Sequence, residues 1–279
     1  MPGGTAANVA VAAARLLGPK TVAVFGAVGA DDKGRLLIED LARERVDTSL
    51  IQTIDDIATG QAFILIDAHG ENIIHSFLEA NGQLKIGATA TRIRKSLAAA
   101  EIVVVMDPPI SVAEQIFRSR KKPRLFTLWD PGIFVDLDKA RLIKLADLVT
   151  MLALNEPEAK SLFGSLNPKR VSERYKGSLL VKRGKKGSAL YHDGFVENFV
   201  TVPLEKIGLR VASTVGCGDA FIGAYAAFKH MDIPEEEAIL RANCAAAFKA
   251  TRAETRGSPI RKEFDRFLSE ASKFLVRRQ

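Results

Sequence analysis

The chain has 279 residues, of which 47% are hydrophobic and 26% are charged, and this ordinary composition predicts a folded globular protein. Its two cysteines, Cys217 and Cys244, are too few for a disulfide framework, and no cysteine–histidine spacing is typical of a zinc site. No apolar run reaches membrane-spanning length and the N-terminus lacks the pattern of a secretory signal, so we expect a cytoplasmic protein with no membrane partner.

The net charge of +7 is compatible with binding nucleic acid, a membrane surface or small anions. Lysine and arginine are scattered, no aromatic residues alternate with them, and no nucleic-acid-binding motif is present. The charge therefore favours a small anionic ligand over nucleic acid, and most of the basic side chains are expected simply to be solvated.

Short β-rich runs alternate with helical patterns along the chain. Strands are predicted over residues 21–25, 102–106, 125–128, 148–150, 179–181 and 188–191. Helices are predicted over residues 7–17, 33–45, 91–98, 112–118, 137–144, 157–162, 220–230, 234–249 and 261–274. This alternation predicts an α/β fold whose mostly parallel sheet is covered by helices on both faces. Because no repeat or flexible linker divides the chain, we expect one domain over residues 1–279.

Two extended runs, residues 60–67 and 72–78, interrupt the alternation. Ala68-His69-Gly70-Glu71 separates them, which predicts a β-hairpin inserted over residues 60–78. Such a hairpin could form a lid over the strand ends where ligands bind in open α/β sheets. Packing within the core is the alternative.

The segment from Ser213 to Phe221 carries the strongest local signal. Gly216 and Gly218 permit a tight turn, and the apolar run that follows predicts a helix beginning there. The free amide groups and positive dipole end of a helix start favour phosphate, and Asp219 in the first turn is placed to act as a general base. The alternative is a Gly-rich turn in which Asp219 only caps the helix.

A second pair of glycines, Gly3 and Gly4, opens the first predicted helix, with Asn8 in its first turn. Exposed amides and a carboxamide suit the hydroxyl groups of a polar ligand, because a carboxamide both donates and accepts hydrogen bonds. By itself this pattern is also that of an ordinary helix cap.

Together these motifs resemble the ribokinase family of carbohydrate kinases, also called PfkB kinases, over nearly the whole chain. The segments that carry the resemblance are Gly3-Gly4 with Asn8, Gly26 to Gly34, Thr59 to Phe63, Gly70-Glu71-Asn72, Asn155-Glu156-Pro157-Glu158, Gly184-Lys185-Lys186-Gly187, Gly216 to Asp219, Asn243 and Thr255 to Pro259. The resemblance implies a ribokinase-like three-layer α/β/α fold with a small β lid.

The resemblance also implies roles for the residues that transfer a phosphoryl group. Asp219 takes the proton from the attacking sugar hydroxyl, and the amides of Gly216, Cys217 and Gly218 hold the charge of the γ-phosphoryl group of ATP. Asn155 and Glu158 organise Mg²⁺ through water. A Glu three residues after an N-cap Asn is also a capping box, and both interpretations can hold together.

Further residues are implied to bind the nucleotide and the sugar. Gly184 and Gly187 let a loop follow the nucleotide phosphates, with Lys182, Arg183, Lys185 or Lys186 as countercharges. Asn243 and the loop from Thr255 to Pro259 border the adenine. The sugar side comprises Gly3, Gly4, Asn8 and Asp107, although Asp107 precedes two prolines and equally fits a strand-end turn.

Three departures from the family pattern stand out. Ser213 replaces an Asp associated with a monovalent-cation site, which puts activation by K⁺ in doubt. Cys217 replaces a small Ala, and we interpret its thiol as a filler and not as a nucleophile. The chain begins at the Gly-Gly motif, before which family members have a central strand and part of the lid. We therefore expect open edges on the neighbouring strands, and favour a misplaced start or a fragment over a functional truncation.

The predicted function is an ATP-dependent sugar kinase that phosphorylates a primary hydroxyl group, with a homodimer through the lid as a possible assembly. A nucleoside kinase of the same fold is the nearest alternative, and a nucleotide-binding protein with impaired catalysis is another. A nicotinamide-dependent oxidoreductase is disfavoured, because Gly26-x-x-Gly29 lacks the Gly-x-Gly-x-x-Gly spacing.

Overall fold

The fold is taken from a computed structural model that describes residues 1–66, 72–119, 125–136 and 138–278. Its helices are α1 Thr5–Leu17, α2 Asp32–Arg43, α3 Ala90–Ala99, α4 Ile110–Arg118, α5 Lys139–Ala146, α6 Glu156–Phe163, α7 Pro168–Arg174, α8 Cys217–His230, α9 Glu235–Ala250 and α10 Arg261–Ala271. Its strands are β1 Ala23–Gly29, β2 Asp47–Ile54, β3 Gln61–Ile66, β4 Asn72–Phe77, β5 Ile102–Met106, β6 Phe126–Asp130, β7 Met151–Asn155, β8 Ser178–Lys182, β9 Ser188–His192, β10 Phe195–Phe199 and β11 Arg277–Arg278. None of the described helices is long and apolar enough to cross a membrane.

The main sheet has seven strands in the order β11-β10-β9-β8-β7-β6-β5. Strands β5 to β8 run parallel, whereas β8 to β11 pair antiparallel. The strands of the sheet alternate their side chains between two cores. Leu180 joins the core formed with α1, α8, α9 and α10, whereas its neighbours Leu179 and Val181 join the core formed with α4 to α7. The predicted α/β fold, with helices on both faces of a mostly parallel sheet, is confirmed.

Some predicted element boundaries are wrong. The strand expected at residues 148–150 lies instead at Met151–Asn155, because Leu148 and Val149 donate backbone hydrogen bonds into the turn that ends α5. The first strand begins at Ala23 rather than at residue 21 and extends to Gly29. Strands β2, β10 and β11 and helix α7 were not predicted. A short run has no period that locates its ends, which explains the displaced strand boundaries. Strand β2 was missed although it has eight residues, because its sequence DTSLIQTI lacks a regular alternation of apolar and polar residues.

Strands β1 and β5 each pair on one side among the described residues. Within the described ranges, β1 hydrogen-bonds to β2 alone in a separate two-stranded sheet, and β5 hydrogen-bonds to β6 alone at the end of the main sheet. Helix α1 packs against both strands and so connects the two sheets. This arrangement places the N-terminal end of α1 close to the carboxyl ends of the main-sheet strands.

The hairpin is present as the antiparallel pair β3–β4, with Gln61 opposite Phe77. The predicted turn at residues 68–71 lies outside the described residues. At the base of the hairpin, the carboxylate of Asp31 accepts hydrogen bonds from the backbone amides of Thr59, at 2.9 Å, and of Gly34, at 2.7 Å. The Thr59 hydroxyl also donates to Asp31 Oδ1. These bonds anchor the hairpin to the start of α2, and they lower the pKa of Asp31 to about 2, the Thr59 hydroxyl contributing most.

Candidate active site

Four polar residues lie together where the parallel strands end. Asp107 follows β5, and Asp130, Asn155 and Lys182 are the last residues of β6, β7 and β8. The register pairs Met106 with Asp130 and Asn155 with Lys182, so these residues share one edge of the sheet. The carboxyl edge of an open parallel sheet is where α/β proteins bind their ligands.

The loop before α8 has the geometry of an anion site. Gly216 is the N-cap of α8 with a φ of 82°, and a Cβ atom there would lie 2.4 Å from the carbonyl oxygen of Thr255. Both restrictions require glycine. In the described part of the chain, the amides of Gly216 and Gly218 donate no hydrogen bond, whereas the amide of Cys217 donates to Thr214 at 3.2 Å. Two of the three amides predicted to bind phosphate are therefore free at the helix start.

Asp219 lies in the first turn of α8 and is held by a distant residue. Asn8 Nδ2 donates a hydrogen bond of 2.7 Å to Asp219 Oδ2. Burial raises the pKa of Asp219 above its ordinary value, while the hydrogen bond from Asn8 and the positive charge of Lys182 oppose that rise. A carboxylate whose proton affinity is raised and whose orientation is fixed is suited to accept a proton.

Arg256 in turn holds Asn8. Arg256 Nε donates to Asn8 Oδ1 at 3.1 Å, Nη2 donates to the Gly3 carbonyl at 2.9 Å, and Nη1 forms an ion pair with Asp40. Its side chain is 7% exposed. With Oδ1 fixed by Arg256, the amide of Asn8 can only present Nδ2 to Asp219.

Lys182 and Asp130 form a buried ion pair beside the anion loop. The Asp130 side chain is 3% exposed, and its Oδ2 contacts Lys182 Nζ. Lys182 Nζ also lies 3.8 Å from the position that a Cβ atom would take at Gly218. Burial alone would lower the pKa of Lys182, but the negative charges of Asp130, Glu158 and Asp219 together outweigh burial, and the pKa is raised. A charged ammonium group therefore stands next to the free amides.

Asp107 is the one acidic residue of this group whose carboxylate is incompletely bonded. Its φ is 45°, and its Oδ1 is buried without a hydrogen-bond partner among the described atoms. That oxygen occupies the space where Gly132 would carry a side chain. Burial and, to a smaller extent, the negative charge of Asp130 raise the pKa of Asp107 to about 7, although a hydrogen bond from Thr5 acts to lower it. An orphaned buried oxygen is energetically unfavourable unless a ligand completes it.

Two further predicted motifs are a capping box and a glycine turn. Asn155 and Glu158 form a capping box, with Glu158 Oε2 accepting from the Asn155 amide at 2.7 Å and Asn155 Oδ1 accepting from the Glu158 amide at 2.8 Å. The structural interpretation of this pair is thus confirmed. The turn from Gly184 to Gly187 is tight, and a Cβ atom at Gly187 would lie 2.0 Å from the Phe199 carbonyl.

Asn243 and Lys185 lie at the turn from Gly184 to Gly187. Asn243 is buried, and its Nδ2 donates to Ser188 Oγ at 3.0 Å and to the Phe199 carbonyl at 3.2 Å. Its amide group thus supports the turn at Gly187. Lys185 is exposed on that turn.

Comparison with known proteins shows the family of the whole chain. The chain matches the pfkB family of carbohydrate kinases over residues 1–262. It belongs to that family. It is 28% identical to the ribokinase of Haemophilus influenzae, over 96% of this chain and 88% of the relative, and 29% identical to a fructokinase of Klebsiella pneumoniae, over 88% and 83%. Its structure resembles Arabidopsis thaliana ribokinase complexed with ribose and ATP, with a TM-score of 0.83 and 26% identity, over 95% of this chain and 87% of that one.

The pfkB-family resemblance and the ribokinase-like fold predicted from the sequence are therefore confirmed, and the chain is a carbohydrate kinase. Members of this family named ribokinase and fructokinase differ in their sugar, so family membership leaves the acceptor open.

The oxygen groups of this kinase suit a hydrated Mg²⁺ ion. Burial, followed by the charge of Asp130, raises the pKa of Glu158, so a cation near these two carboxylates would relieve an existing repulsion. The described residues contain no group of three or more acidic, histidine or cysteine side chains able to hold a metal. The donor set fits an ion that keeps most of its waters and also binds substrate phosphates.

Two members of the candidate site were missed from the sequence. Asp130 ends a buried strand and precedes Pro131-Gly132, the same strand-end pattern that drew attention to Asp107, so a signal was available. Arg256 had no such signal. It lies in the loop that the sequence resemblance places beside the adenine. Its guanidinium group instead donates to Gly3 and Asn8, because α1 packs next to this loop in the folded chain.

Proposed function

We propose that this kinase transfers the γ-phosphoryl group of ATP to a primary hydroxyl group of a sugar. The observation that carries the proposal is Asp219, a carboxylate fixed by Asn8 in the first turn of a helix whose preceding amides are free. Phosphoryl transfer needs little more than positioning and charge stabilisation, so one base and a set of fixed donors suffice.

The base acts at the attacking oxygen. Asp219 accepts the proton of the sugar hydroxyl as that oxygen bonds to the γ-phosphorus, and the bond to the leaving β-phosphate oxygen breaks. A general base works best when its pKa is close to the operating pH. The pKa of Asp219 is raised by burial and is therefore closer to that pH than the pKa of an exposed aspartate. Its bond to Asn8 keeps the accepting carboxylate in one orientation.

The phosphate groups are held by the anion loop. The amides of Gly216 and Gly218, the helix dipole of α8 and the ammonium group of Lys182 together stabilise the charge of the transferring group. Cys217 contributes less than the sequence indicated, because its amide already donates to Thr214. The turn from Gly184 to Gly187 is the proposed path of the more distant phosphates.

Magnesium is the implied metal. When bound, Mg²⁺ neutralises phosphate charge, and Glu158, Asn155 and Asp130 would hold it through water. Lys182 stays charged beside Asp130. Its positive charge reduces the repulsion between the nucleotide phosphates and the carboxylates of Asp130 and Glu158.

The sugar is proposed to bind at Asp107, Asn8 and the backbone of Gly3 and Gly4. The unpartnered Oδ1 of Asp107 is an acceptor for a hydroxyl group, and it lies on the same sheet edge as Asp130. A hydroxyl-rich ligand is favoured here because each such group can donate to a buried carboxylate.

The proposed reaction is tested by measuring ADP released from Mg·ATP with a panel of pentoses, hexoses and nucleosides. Turnover with a sugar and phosphorylation of its primary hydroxyl, located by NMR, are the expected results. Turnover with nucleosides alone would move the assignment to a nucleoside kinase. Failure of every acceptor to exceed the rate of the Asp219→Asn variant would leave a nucleotide-binding protein without this activity.

A second copy of the chain is the proposed partner of hairpin β3–β4. Its exposed apolar side chains include Phe63, Leu65 and Phe77, with exposed fractions of 57%, 62% and 53%. A hairpin of two strands is marginal by itself, and pairing with an identical hairpin would cover both its apolar surface and its open edge. Sedimentation equilibrium measures the resulting mass.

A further inference from the structure

One charged group near the anion loop has no part in the proposed reaction. Lys249 lies one residue before the end of α9 and is 0% exposed. Its Nζ donates to the carbonyl oxygens of Ser213, at 3.1 Å, and Arg252, at 3.2 Å. A lysine is rarely buried completely, because its ammonium group loses its water, and burial does lower the pKa of Lys249. Its retention there needs a reason.

The two carbonyl groups belong to the two chain segments that shape the anion loop. Ser213 comes three residues before Gly216, and Arg252 comes three residues before Thr255. The Thr255 carbonyl packs directly against Gly216. The amides of Ala212 and Ser213 both donate to the Ala250 carbonyl. The segment before Gly216 is therefore also hydrogen-bonded to the end of α9, next to Lys249. The ammonium group therefore joins the segment that carries Gly216 to the segment that supports it.

Backbone carbonyl oxygens arranged around a cation are also how proteins bind K⁺. A dissociable monovalent cation does not fit here, for two reasons. The carbonyl oxygens of Ser213 and Arg252 are already used by Lys249. Ser213 also supplies no charge, and its Oγ accepts a hydrogen bond of 3.3 Å from the Val215 amide within its own loop.

We propose that the ammonium group of Lys249 is a built-in replacement for a monovalent cation, positioning the anion loop so that the kinase needs no K⁺. This inference rests on the proposed phosphotransfer. Lys249 is a positioning residue, because it reaches Gly216 and Asp219 through the backbone of their loop. Its positive charge also acts on Asp219 from behind the loop, in addition to holding the Ser213 carbonyl in place.

The test compares wild type with Lys249→Ala and Lys249→Met, assayed with tetramethylammonium as the only other cation besides Mg²⁺, and then with added K⁺ or ammonium. Wild type should have the same kcat in all three media. Lys249→Ala should lose about 100-fold in kcat, the scale of one lost electrostatic donor. Added K⁺ or ammonium should restore it at least about tenfold, since either ion can occupy the vacated space between the two carbonyl groups. Lys249→Met fills that space and should stay inactive in every medium.

Lys229→Ala is the matched control, because Lys229 is also largely buried, is paired with Glu235 at 2.9 Å and lies at the other end of α8. It should respond to no cation. Activation of wild type by K⁺, or a folded Lys249→Ala that loses less than about twofold or is not restored, would overturn the proposal.

A separate readout distinguishes this inference from the proposed function. If wild type phosphorylates no acceptor, the proposed function fails but the cation site can still be measured. Added K⁺ or ammonium should then raise the Tm of Lys249→Ala and leave the Tm of wild type and Lys229→Ala unchanged. The same shift in all three proteins, or in none, would overturn the inference.

Discussion

The anion loop and the groups assigned to the acceptor differ in how completely they are bonded. Around the loop, Asp219 is bonded to Asn8, and Lys182 is paired with Asp130. On the acceptor side, Asp107 has a buried oxygen without a partner among the described residues. Hairpin β3–β4, which the sequence predicts to be a lid over the strand ends, exposes Phe63 and Leu65.

This difference indicates that the anion loop is preorganised for charge stabilisation, whereas the acceptor side is left ready to bind a ligand. Charge develops on the transferring phosphoryl group, and donors that are already fixed need no reorganisation when it does. A binding group for the acceptor instead gains from an unsatisfied atom, because the ligand then completes a bond that the protein lacks. The loop should therefore be sensitive to any broken pair, whereas the acceptor side should tolerate changes or gain stability from them.

Asp219→Asn is the change with the largest expected effect on the loop side. Removing the base should lower kcat by about 10²- to 10⁴-fold while the fold stays intact, because the amide keeps the shape of the side chain. Steady-state ADP release measures it. Asp193→Asn, at an exposed aspartate, is the control and should leave kcat unchanged. Comparable rates for the two variants would remove Asp219 from the mechanism.

Arg256→Met should show that the loop side is held by long-range pairs. Loss of a buried, multiply bonded guanidinium group should reduce the free energy of unfolding by about 3 kcal/mol. It should also lower kcat about tenfold, since Asn8 then loses the bond that orients it toward Asp219. Urea unfolding and kcat are the measurements. Arg261→Met removes an exposed pair with Asp265 and should change stability by less than about 0.5 kcal/mol.

On the acceptor side, Asp107→Asn should increase the free energy of unfolding, whereas Arg256→Met should decrease it. The folded protein holds the Asp107 proton more tightly than the unfolded chain, with a pKa of about 7 against 3.8, so this group makes wild type less stable as pH rises from about 4 to about 7. The variant should be more stable than wild type above pH 7, and the difference should vanish near pH 4. One pKa unit corresponds to about 1.4 kcal/mol.

Its matched control is Asp56→Asn, an exposed aspartate that also has a positive φ, of 59°. Asn accepts that backbone conformation, so neither variant adds strain. Urea unfolding at several pH values gives the comparison, and the KM for the sugar should rise in Asp107→Asn alone. A pH-independent difference between Asp107→Asn and wild type would contradict the assignment.

Leu65→Ser should have the smallest effect on the fold. Leu65 is 62% exposed, so we expect the stability of the monomer to change by less than about 0.5 kcal/mol. The dimer proposed at the hairpin should nevertheless weaken, which sedimentation equilibrium detects. Phe195→Ser, at another exposed apolar residue, should leave the mass unchanged. A monomeric wild type would remove the proposed dimer.

Features that depend on neighbouring residues could be predicted from the sequence alone. A glycine at positive φ followed by a helix start is a local pattern, so the loop from Gly216 to Asp219 could be identified directly. The same is true of the capping box of Asn155 and Glu158, whose partners are three residues apart. The order of such motifs along the chain was enough for the family and its fold.

The distant residues that complete the site could be identified from the folded chain but not from its sequence. Asn8 and Asp219 are 211 residues apart, Arg256 and Asn8 are 248 apart, and Lys182 and Asp130 are 52 apart. No local period marks such pairs, because they depend on the order of strands in the sheet and on the packing of α1 against α8. The base was readable from its own turn, whereas the side chains that orient it became visible only once the chain was folded.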